Sequence, residues 1–210
     1  MVGVVGAAAV LAAVLSGASR DAARDYREGR ITENEFLESY LVVGMLGLVQ
    51  LAATVAAFVL VVMVMYRLAA NHRALGRSGT WGPGWAIGGW FLPPLVIYVI
   101  PYLMFRELWK ASDLDASPDT DSWKQGQVSP VVTLWWVLYG LVPLGLIFAQ
   151  GAGSVGGGGF TSSTDALAET VEEQFALTLV GSLLTLAAAI VFIVMLRGLV
   201  DRHRRLTREA

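Results

Sequence analysis

The sequence contains no cysteine and few charged side chains, and both shortages narrow what the protein can be. Without cysteine, the chain has no disulfide framework, no thiolate metal site and no cysteine nucleophile. Only 15% of its 210 residues are charged and 55% are apolar, whereas soluble domains are usually about one quarter charged. The mean hydropathy of +0.59 agrees with this excess of apolar residues. The composition therefore predicts a protein of the lipid bilayer.

Charged residues are absent from five long apolar runs, which are 1–19, 40–66, 85–105, 131–150 and 175–196. A membrane-spanning helix needs about 20 apolar residues, so each run is long enough or nearly long enough to cross. The net charge of −2 does not indicate a nucleic acid partner, because the basic residues lie at the edges of the runs. The predicted fold class is all-α, a polytopic transmembrane helical bundle that forms a single domain over residues 1–210.

The first run could belong to a secretory signal peptide or to a retained helix. A signal peptide has a basic segment before its apolar stretch, and 1–19 has none. Small residues around Ser16 and Ser19 resemble a cleavage site and keep that alternative open. We expect residues 1–19 to be the first transmembrane helix.

The second run lies in a predicted long helix, 33–75. Thr32 and Glu35 have the spacing of a capping box, in which the side chain of each residue accepts a hydrogen bond from the backbone N–H of the other. Gly76 has the position of a glycine that follows a helix end. At 1.5 Å per residue such a helix is roughly 65 Å long. Because that is about twice the hydrocarbon thickness, both ends must project from the membrane.

The third run, 85–105, contains Pro93, Pro94 and Pro101, which interrupt the hydrogen-bond ladder of a helix. We predict a re-entrant or interfacial segment here, and so four spanning helices in all. The alternative is five spanning helices. Counts of basic residues on each side differ too little to decide, but the four-span arrangement places the acid-free basic segment after 66 inside.

The remaining spans are predicted at 131–150 and within a helix over 165–196. Residues 151–164 are rich in glycine and serine and read as a flexible linker without a phosphate-loop lysine. The tail at 197–210 holds five arginines and places the C-terminus in the cytoplasm.

The segment between the second and third runs is basic, and no acid occurs between Glu38 and Glu107. Arg67 and Asn71 lie four residues apart, on one face of a helix, with Arg73 beside them. One interpretation is a positive-inside anchor. The other is a site for an anionic headgroup or an acidic partner. Asn71 is expected to cap the segment or to link it to Arg106 or Glu107.

Several short motifs in and after this segment resemble the domain of unknown function 4328 family of bacterial, largely actinobacterial, multi-pass membrane proteins. The matching residues are Arg67 with Asn71, Pro83-Gly84-Trp85-Ala86-Ile87-Gly88, Trp90-Phe91-Leu92-Pro93, Pro101-Tyr102, Arg106-Glu107-Leu108-Trp109, Ser129-Pro130 and Trp135-Trp136. Ile100 replaces a basic residue that is usual in the family, and Pro94 is an additional proline. The resemblance implies a multi-pass membrane fold and no particular activity, substrate or cofactor.

The candidate site is a structured cytoplasmic seam that engages lipid headgroups or a protein partner. Its members are Arg67, Asn71, Arg73, Trp85, Trp90, Pro93, Pro101, Arg106, Glu107 and Trp109. Arg106 and Glu107 could be drawn as an acid/base pair, but a surface ion pair is the commoner arrangement. The sequence has no zinc-protease or serine-hydrolase motif and no histidine cluster. We therefore expect no catalytic site, metal or cofactor.

These observations predict a non-enzymatic accessory or scaffold protein of the bacterial plasma membrane. Its expected partners are the bilayer, anionic headgroups, and either a second copy of the chain or another membrane protein. The alternative is a small oligomeric transporter or channel, in which the proline-broken segment binds solute through backbone carbonyls. Against it, the runs contain no ionisable acid or base to carry ions.

Overall fold

The computed structural model describes residues 2–116, 121–141 and 163–207, and its regular elements in these ranges are all helical. They are α1 (Val2–Arg27), α2 (Glu33–Ala74), α3 (Trp85–Gly88), α4 (Pro94–Ala111), a 3-10 turn (Asp121–Gln125), α5 (Pro130–Trp136), a π-helical turn (Val137–Leu141) and α6 (Thr164–Thr207). The prediction of an all-α fold is confirmed.

Two glycines with positive φ end the first two helices. Gly29 (φ 73°) follows α1, and Gly76 (φ 75°) follows α2. At the second of these ends, the Arg77 N–H binds the His72 carbonyl (2.9 Å) and the Gly76 N–H binds the Arg73 carbonyl (3.1 Å). This is the Schellman arrangement, which needs a left-handed residue and so favours glycine. α2 accordingly ends at Ala74, one residue before the predicted boundary.

The capping box at the start of α2 forms as predicted. The Glu35 carboxylate accepts from the Thr32 backbone N–H (2.7 Å), and the Thr32 hydroxyl accepts from the Glu35 N–H (3.4 Å). The bonds from the backbone and hydroxyl of Thr32 lower the pKa of the Glu35 carboxyl, because they favour its charged form.

Contacts divide the chain into two compact units, of which the first comprises Met1–Val55 and Val142–Ile190. Its buried centre includes Ala23, Phe36 and Ala168, none of which is exposed. Tyr26 stacks on Phe36 with ring centroids 5.3 Å apart. Gly6 brings α1 close to α6, because a Cβ added there would lie 3.5 Å from the side chain of Ala189. Within this unit, packing and small residues join α1 to α2 and α6.

The second unit comprises Ala56–Leu141 and Val191–Ala210. Its core is aromatic: the Phe105 ring of α4 lies 5.0 Å from Trp135 of α5 and 6.1 Å from Phe192 of α6. Trp135 and Phe192 are themselves 5.5 Å apart. These edge and tilted ring contacts supply both apolar burial and favourable quadrupole geometry. The ring contacts hold α4 against α5 and α6. The loop after α2 and the end of α6 pack against α4.

Three helices among the described residues are long and apolar enough to cross a membrane, namely α1, α2 and α6. Their most apolar windows have mean hydropathies of 2.0, 2.6 and 2.7, and no more than 22% of the residues in any window are buried inside the protein. Apolar surface of this extent, such as Met45 at 69% exposed, needs a partner other than water. The protein is therefore membrane-embedded.

The proline-rich segment 85–105 forms two helices rather than one. α3 ends at Gly88, Pro93 occupies the position before α4, and Pro94 is its first residue, where a missing N–H costs nothing. Pro101, however, lies inside α4, which continues through it to Ala111. Pro101 thus removes one hydrogen bond from the ladder, as predicted, but it does not end the helix.

The number of spans stays a prediction. The predicted span 131–150 is described only as far as Leu141, and this part consists of α5 up to Trp136 and the π-helical turn after it. The rest of it, residues 151–162 of the glycine-rich linker and residues 208–210 of the tail lie outside the described residues. α4 has 18 residues and is not among the three candidate spans.

Candidate functional site

Glu107, near the end of α4, binds the loop that follows α2. Its carboxylate accepts hydrogen bonds from the backbone N–H groups of Thr80 (3.0 Å) and Trp81 (2.9 Å). A Cβ atom at Gly79 would lie only 2.0 Å from this carboxylate. Successive backbone N–H groups form a concavity that binds anions. Glu107 fills that concavity, and only glycine at position 79 allows the approach.

Arg77 ties the same loop to the end of α4. Only 4% of its surface is exposed, although it is charged. Its guanidinium donates to the carbonyl oxygens of Ala111 (2.7 Å), Asp113 (2.6 Å) and Ala116 (2.8 Å). The last carbonyls of a helix lack partners within it, and a cation complements the negative end of the helix dipole. Arg77 therefore caps α4 from another part of the chain.

The two histidines of the chain meet beside this cap. His203 Nδ1 lies 3.3 Å from His72 Nε2. Ser112 Oγ is 3.1 Å from the same His72 nitrogen, and Asn71 Nδ2 is 3.1 Å from His203 Nε2. Burial, reinforced by the charges of His203 and Arg77, lowers the pKa of His72 from 6.5 to about 3. We call Asn71, His72, Ser112 and His203 the clasp, and its His72 ring is neutral at pH 7.

Trp109 and Asp113 hold the end of α6 to α4. The Arg202 guanidinium lies 5.2 Å from the centroid of the Trp109 ring and 3.6 Å from the Asp113 carboxylate. A Cβ at Gly198 would come within 3.1 Å of the Trp109 ring. Trp109, which is 9% exposed, thus contributes through packing and through a cation–π contact.

The other two tryptophans of the predicted seam pack against aromatic neighbours. Trp85 meets Trp81 edge to face with ring centroids 5.1 Å apart, and 41% of its surface is exposed. Trp90 is buried, and its ring lies 5.0 Å from that of Phe58 on α2. These contacts attach α3 and the residues after it to the loop and to α2.

Arg106 does not pair with Glu107. Its guanidinium lies 5.5 Å from the centroid of the Tyr102 ring, and within the described residues Glu107 forms no ion pair. Asn71 likewise binds His203, so its expected link to Arg106 or Glu107 is not formed. Pro93 and Pro101 act on the backbone of α4, as its preceding residue and as an interior residue.

The side chains of five exposed arginines, at the ends of α2 and α6, form no hydrogen bond, ion pair or ring contact in the part of the chain that the structure describes. They are Arg67, Arg73, Arg197, Arg204 and Arg205. We call this set the basic end. The arginines of the first unit differ, since Arg24 and Arg27 both contact Glu172.

Among the ten residues of the predicted seam, no two side chains are joined by a hydrogen bond, ion pair or ring contact in the described ranges. Sequence reasoning missed four residues of the site. His203 contacts Asn71, and Arg202 contacts Trp109. Arg77 and Ser112 join the end of α4 to the loop after α2 and to His72. The one available signal was the position of Arg77 directly after the helix-ending Gly76. Nothing in the sequence pairs His72 with a residue 131 positions away.

The part of the site around His72, Arg77 and Glu107 offers little room for a ligand. A cavity of about 20 Å³ lies among the loop, α2 and α4, and His72, Arg77 and Glu107 are among its lining residues. That volume accommodates about one water molecule. His72 Nδ1 is buried and has no hydrogen-bond partner among the described residues. The same part of the chain contains no group of three or more side chains suited to hold a metal ion. The arrangement is suited to tying helix ends together and to presenting positive charge.

Comparison with known proteins identifies one family. The model of the family described as Domain of unknown function (DUF4328) matches residues 27–201, which include parts of both units. Within this range lie three of the four clasp residues and three of the five arginines of the basic end. No curated protein and no solved structure matches the chain.

The matched range ends at residue 201, within α6. His203, Arg204 and Arg205 lie just beyond it. The matched range still covers the loop after α2, all of α4 and most of α6.

Proposed function

The chain belongs to the DUF4328 family, and from its own residues we propose that it is a non-enzymatic accessory or scaffold protein of the bacterial plasma membrane. In this proposal the basic end faces the cytoplasm and binds anionic lipid headgroups. The seam and the clasp serve to hold the helix ends that carry these arginines.

The observation that carries the proposal is the lack of acidic partners at the basic end. Arg67 and Arg73 on α2, and three arginines on α6, are exposed and unpaired within the described residues. An anionic bilayer surface attracts each such side chain by about 1 kcal/mol. Arginines that only balanced nearby acids would resemble Arg27, which contacts Glu172.

A shallow apolar groove beside Arg67 supports contact with lipid. It has a volume of about 240 Å³ and is lined by Val62, Met63, Tyr66 and Arg67 of α2 and by Ile87 of α3. An acyl chain in such a groove would leave its headgroup near the unpaired guanidinium. The groove therefore fits a lipid better than a water-soluble ligand.

The polar groups of the second unit support a structural role rather than catalysis. Ser112 and His72 have the spacing of a nucleophile and its base, at 3.1 Å. Ser112 is completely buried, however, and its hydroxyl donates to the Leu108 carbonyl (2.9 Å). A nucleophile needs an accessible position beside its substrate, and the adjoining cavity has room for about one water.

Lipid retention by the detergent-solubilised protein tests the proposal. Native mass spectrometry would count bound phosphatidylglycerol and, separately, bound phosphatidylcholine. The double substitution of Arg67→Ala with Arg73→Ala removes about 2 kcal/mol of attraction, which corresponds to about 30-fold weaker phosphatidylglycerol binding. Binding of phosphatidylcholine should not change. The matched control is Arg24→Ala with Arg27→Ala, which removes arginines that already contact an acid.

Unchanged phosphatidylglycerol binding in the first variant, or an equal loss in the control, would refute headgroup binding by the basic end. The orientation is tested separately, since the chain has no native cysteine. With an impermeant thiol reagent on intact cells, Ser163→Cys should react and Ser78→Cys should not. Reaction at both positions would favour five spans and an external loop after α2.

A further inference from the structure

The clasp joins three helix ends through side chains far apart in the sequence. His72 lies at the end of α2, Ser112 directly after α4, and His203 near the end of α6. The two imidazole rings are 5.0 Å apart between centroids and nearly perpendicular, at 77°. Both are buried, with 2% of His72 and 6% of His203 exposed.

The contact between the rings depends on their protonation. His203 Nδ1 and His72 Nε2 face each other at 3.3 Å, so one nitrogen must accept the hydrogen that the other donates. Two doubly protonated rings would direct two N–H groups at each other. On the outer side, Asn71 faces His203 Nε2, and either orientation of its amide can complete the chain of hydrogen bonds.

The charges around the clasp oppose an added proton. Arg77 lies in the loop after α2, and its positive charge acts on His72. Arg73 shares the small cavity with that ring. Asp113, just after α4, lies 3.6 Å from Arg202 of α6, so this carboxylate already has a cation. Glu107 of α4 lines the same small cavity as His72, and its carboxylate is bound by two backbone N–H groups of the loop. Burial of the rings adds a desolvation penalty for any charge they acquire.

We propose that the clasp is a proton-sensitive contact that holds the end of α6 against α2 and α4 when its imidazoles are neutral and releases it when they become protonated. Arg204 and Arg205 follow His203 directly, so release would also move part of the basic end. In that respect the clasp would regulate the lipid contact proposed above and rests on it. The opening of the clasp itself does not require lipid binding.

The first test observes the rings of the unaltered protein. Nuclear magnetic resonance of the chain labelled with ¹⁵N-histidine reports two side chains only, because the sequence has two histidines. At pH 6.0 a free imidazole is about three-quarters protonated. The His72 ring should be neutral at that pH. A His72 ring that titrates like a free imidazole while the two rings stay in contact would overturn the proposal.

The second test measures opening. Spin labels at Ala74→Cys and Asp201→Cys, both exposed positions, report the distance between the ends of α2 and α6. We expect one short distance at pH 7.5 and a second, longer population on acidification towards pH 4.5. The comparison variant, His72→Gln with His203→Gln, cannot titrate and should show no such change. An unchanged distance in the parent protein, or the same change in the variant, would refute the clasp.

The two proposals fail separately. If the distance does not change on acidification but phosphatidylglycerol binds normally, the proposal for the clasp is refuted and the proposal for headgroup binding stands. If the distance changes as expected but phosphatidylglycerol does not bind, headgroup binding is refuted and the clasp stands. If the double glutamine variant does not fold, the histidine titration and the distance measurement on the parent protein still test the clasp.

Discussion

Removing the Arg77 side chain should destabilise the second unit more than removing any arginine of the basic end. Arg77→Met keeps much of the apolar stem and deletes the guanidinium that binds three carbonyl oxygens. Because Ala111 is only 2% exposed, water cannot easily replace the donor to its carbonyl. The α4 end would lose its cap.

The magnitude follows from the hydrogen bonds and the burial. Hydrogen bonds to a charged group contribute about 1.5–3 kcal/mol each, so three amount to roughly 4.5–9 kcal/mol. Desolvation of the buried guanidinium offsets several kcal/mol of this gain. We therefore expect the free energy of unfolding to fall by about 3 kcal/mol, which corresponds to a decrease in Tm of about 6–12 °C.

The assay is thermal unfolding in detergent micelles, followed by circular dichroism. Arg73→Met is the matched control, since it removes the same group from an exposed position and should stay within about 0.5 kcal/mol of the parent. Arg77→Lys retains the charge without the planar fork and should be intermediate. A loss below about 1 kcal/mol in Arg77→Met, or an equal loss in the control, would refute the capping role of Arg77.

Three further changes can be tested by the same assay. Gly79→Ala places a methyl group against the Glu107 carboxylate and should lower the free energy of unfolding by about 1–3 kcal/mol. The control Gly84→Ala meets open space and should not destabilise the protein. Gly6→Leu should lower the free energy of unfolding by about 1–3 kcal/mol through overpacking. Gly3→Leu is the control, because a Cβ at Gly3 has no neighbour within 4 Å. Equal effects of the two substitutions would refute the close approach of α1 to α6. The lowered pKa of His72, about 3 against 6.5, means that the unfolded chain gains a proton first as pH falls. From pH 7.5 to 5.5 the parent should lose about 1.4 kcal/mol that His72→Gln does not lose, and parallel pH profiles would contradict this.

Much of the architecture could be predicted from local sequence. Five apolar runs predicted a membrane protein, and α1, α2 and α6 are long and apolar enough to cross. The capping box at Thr32 and the glycine at position 76 predicted the limits of α2 to within one residue. The motifs around Trp85 and Trp109 resembled the family whose model matches most of the chain.

The sequence was less informative about the proline-broken segment. Each proline removes a backbone donor, but the consequence depends on its position within the helix. Pro94 begins α4, whereas Pro101 lies inside it and does not end it. Position relative to the helix start, rather than the number of prolines, determines which of them breaks the segment.

The sequence by itself determined the apolar runs, the helix ends and the clustering of basic charge, because these depend on composition and on hydrogen bonds within a few residues. Only the tertiary structure decided which polar groups meet. Glu107 binds the loop backbone, Arg77 caps α4, and His72 contacts His203 across 131 positions. Backbone donors and carbonyls occur at nearly every residue and carry no side-chain pattern, so their partners are chosen by how the helices pack and not by spacing in the chain.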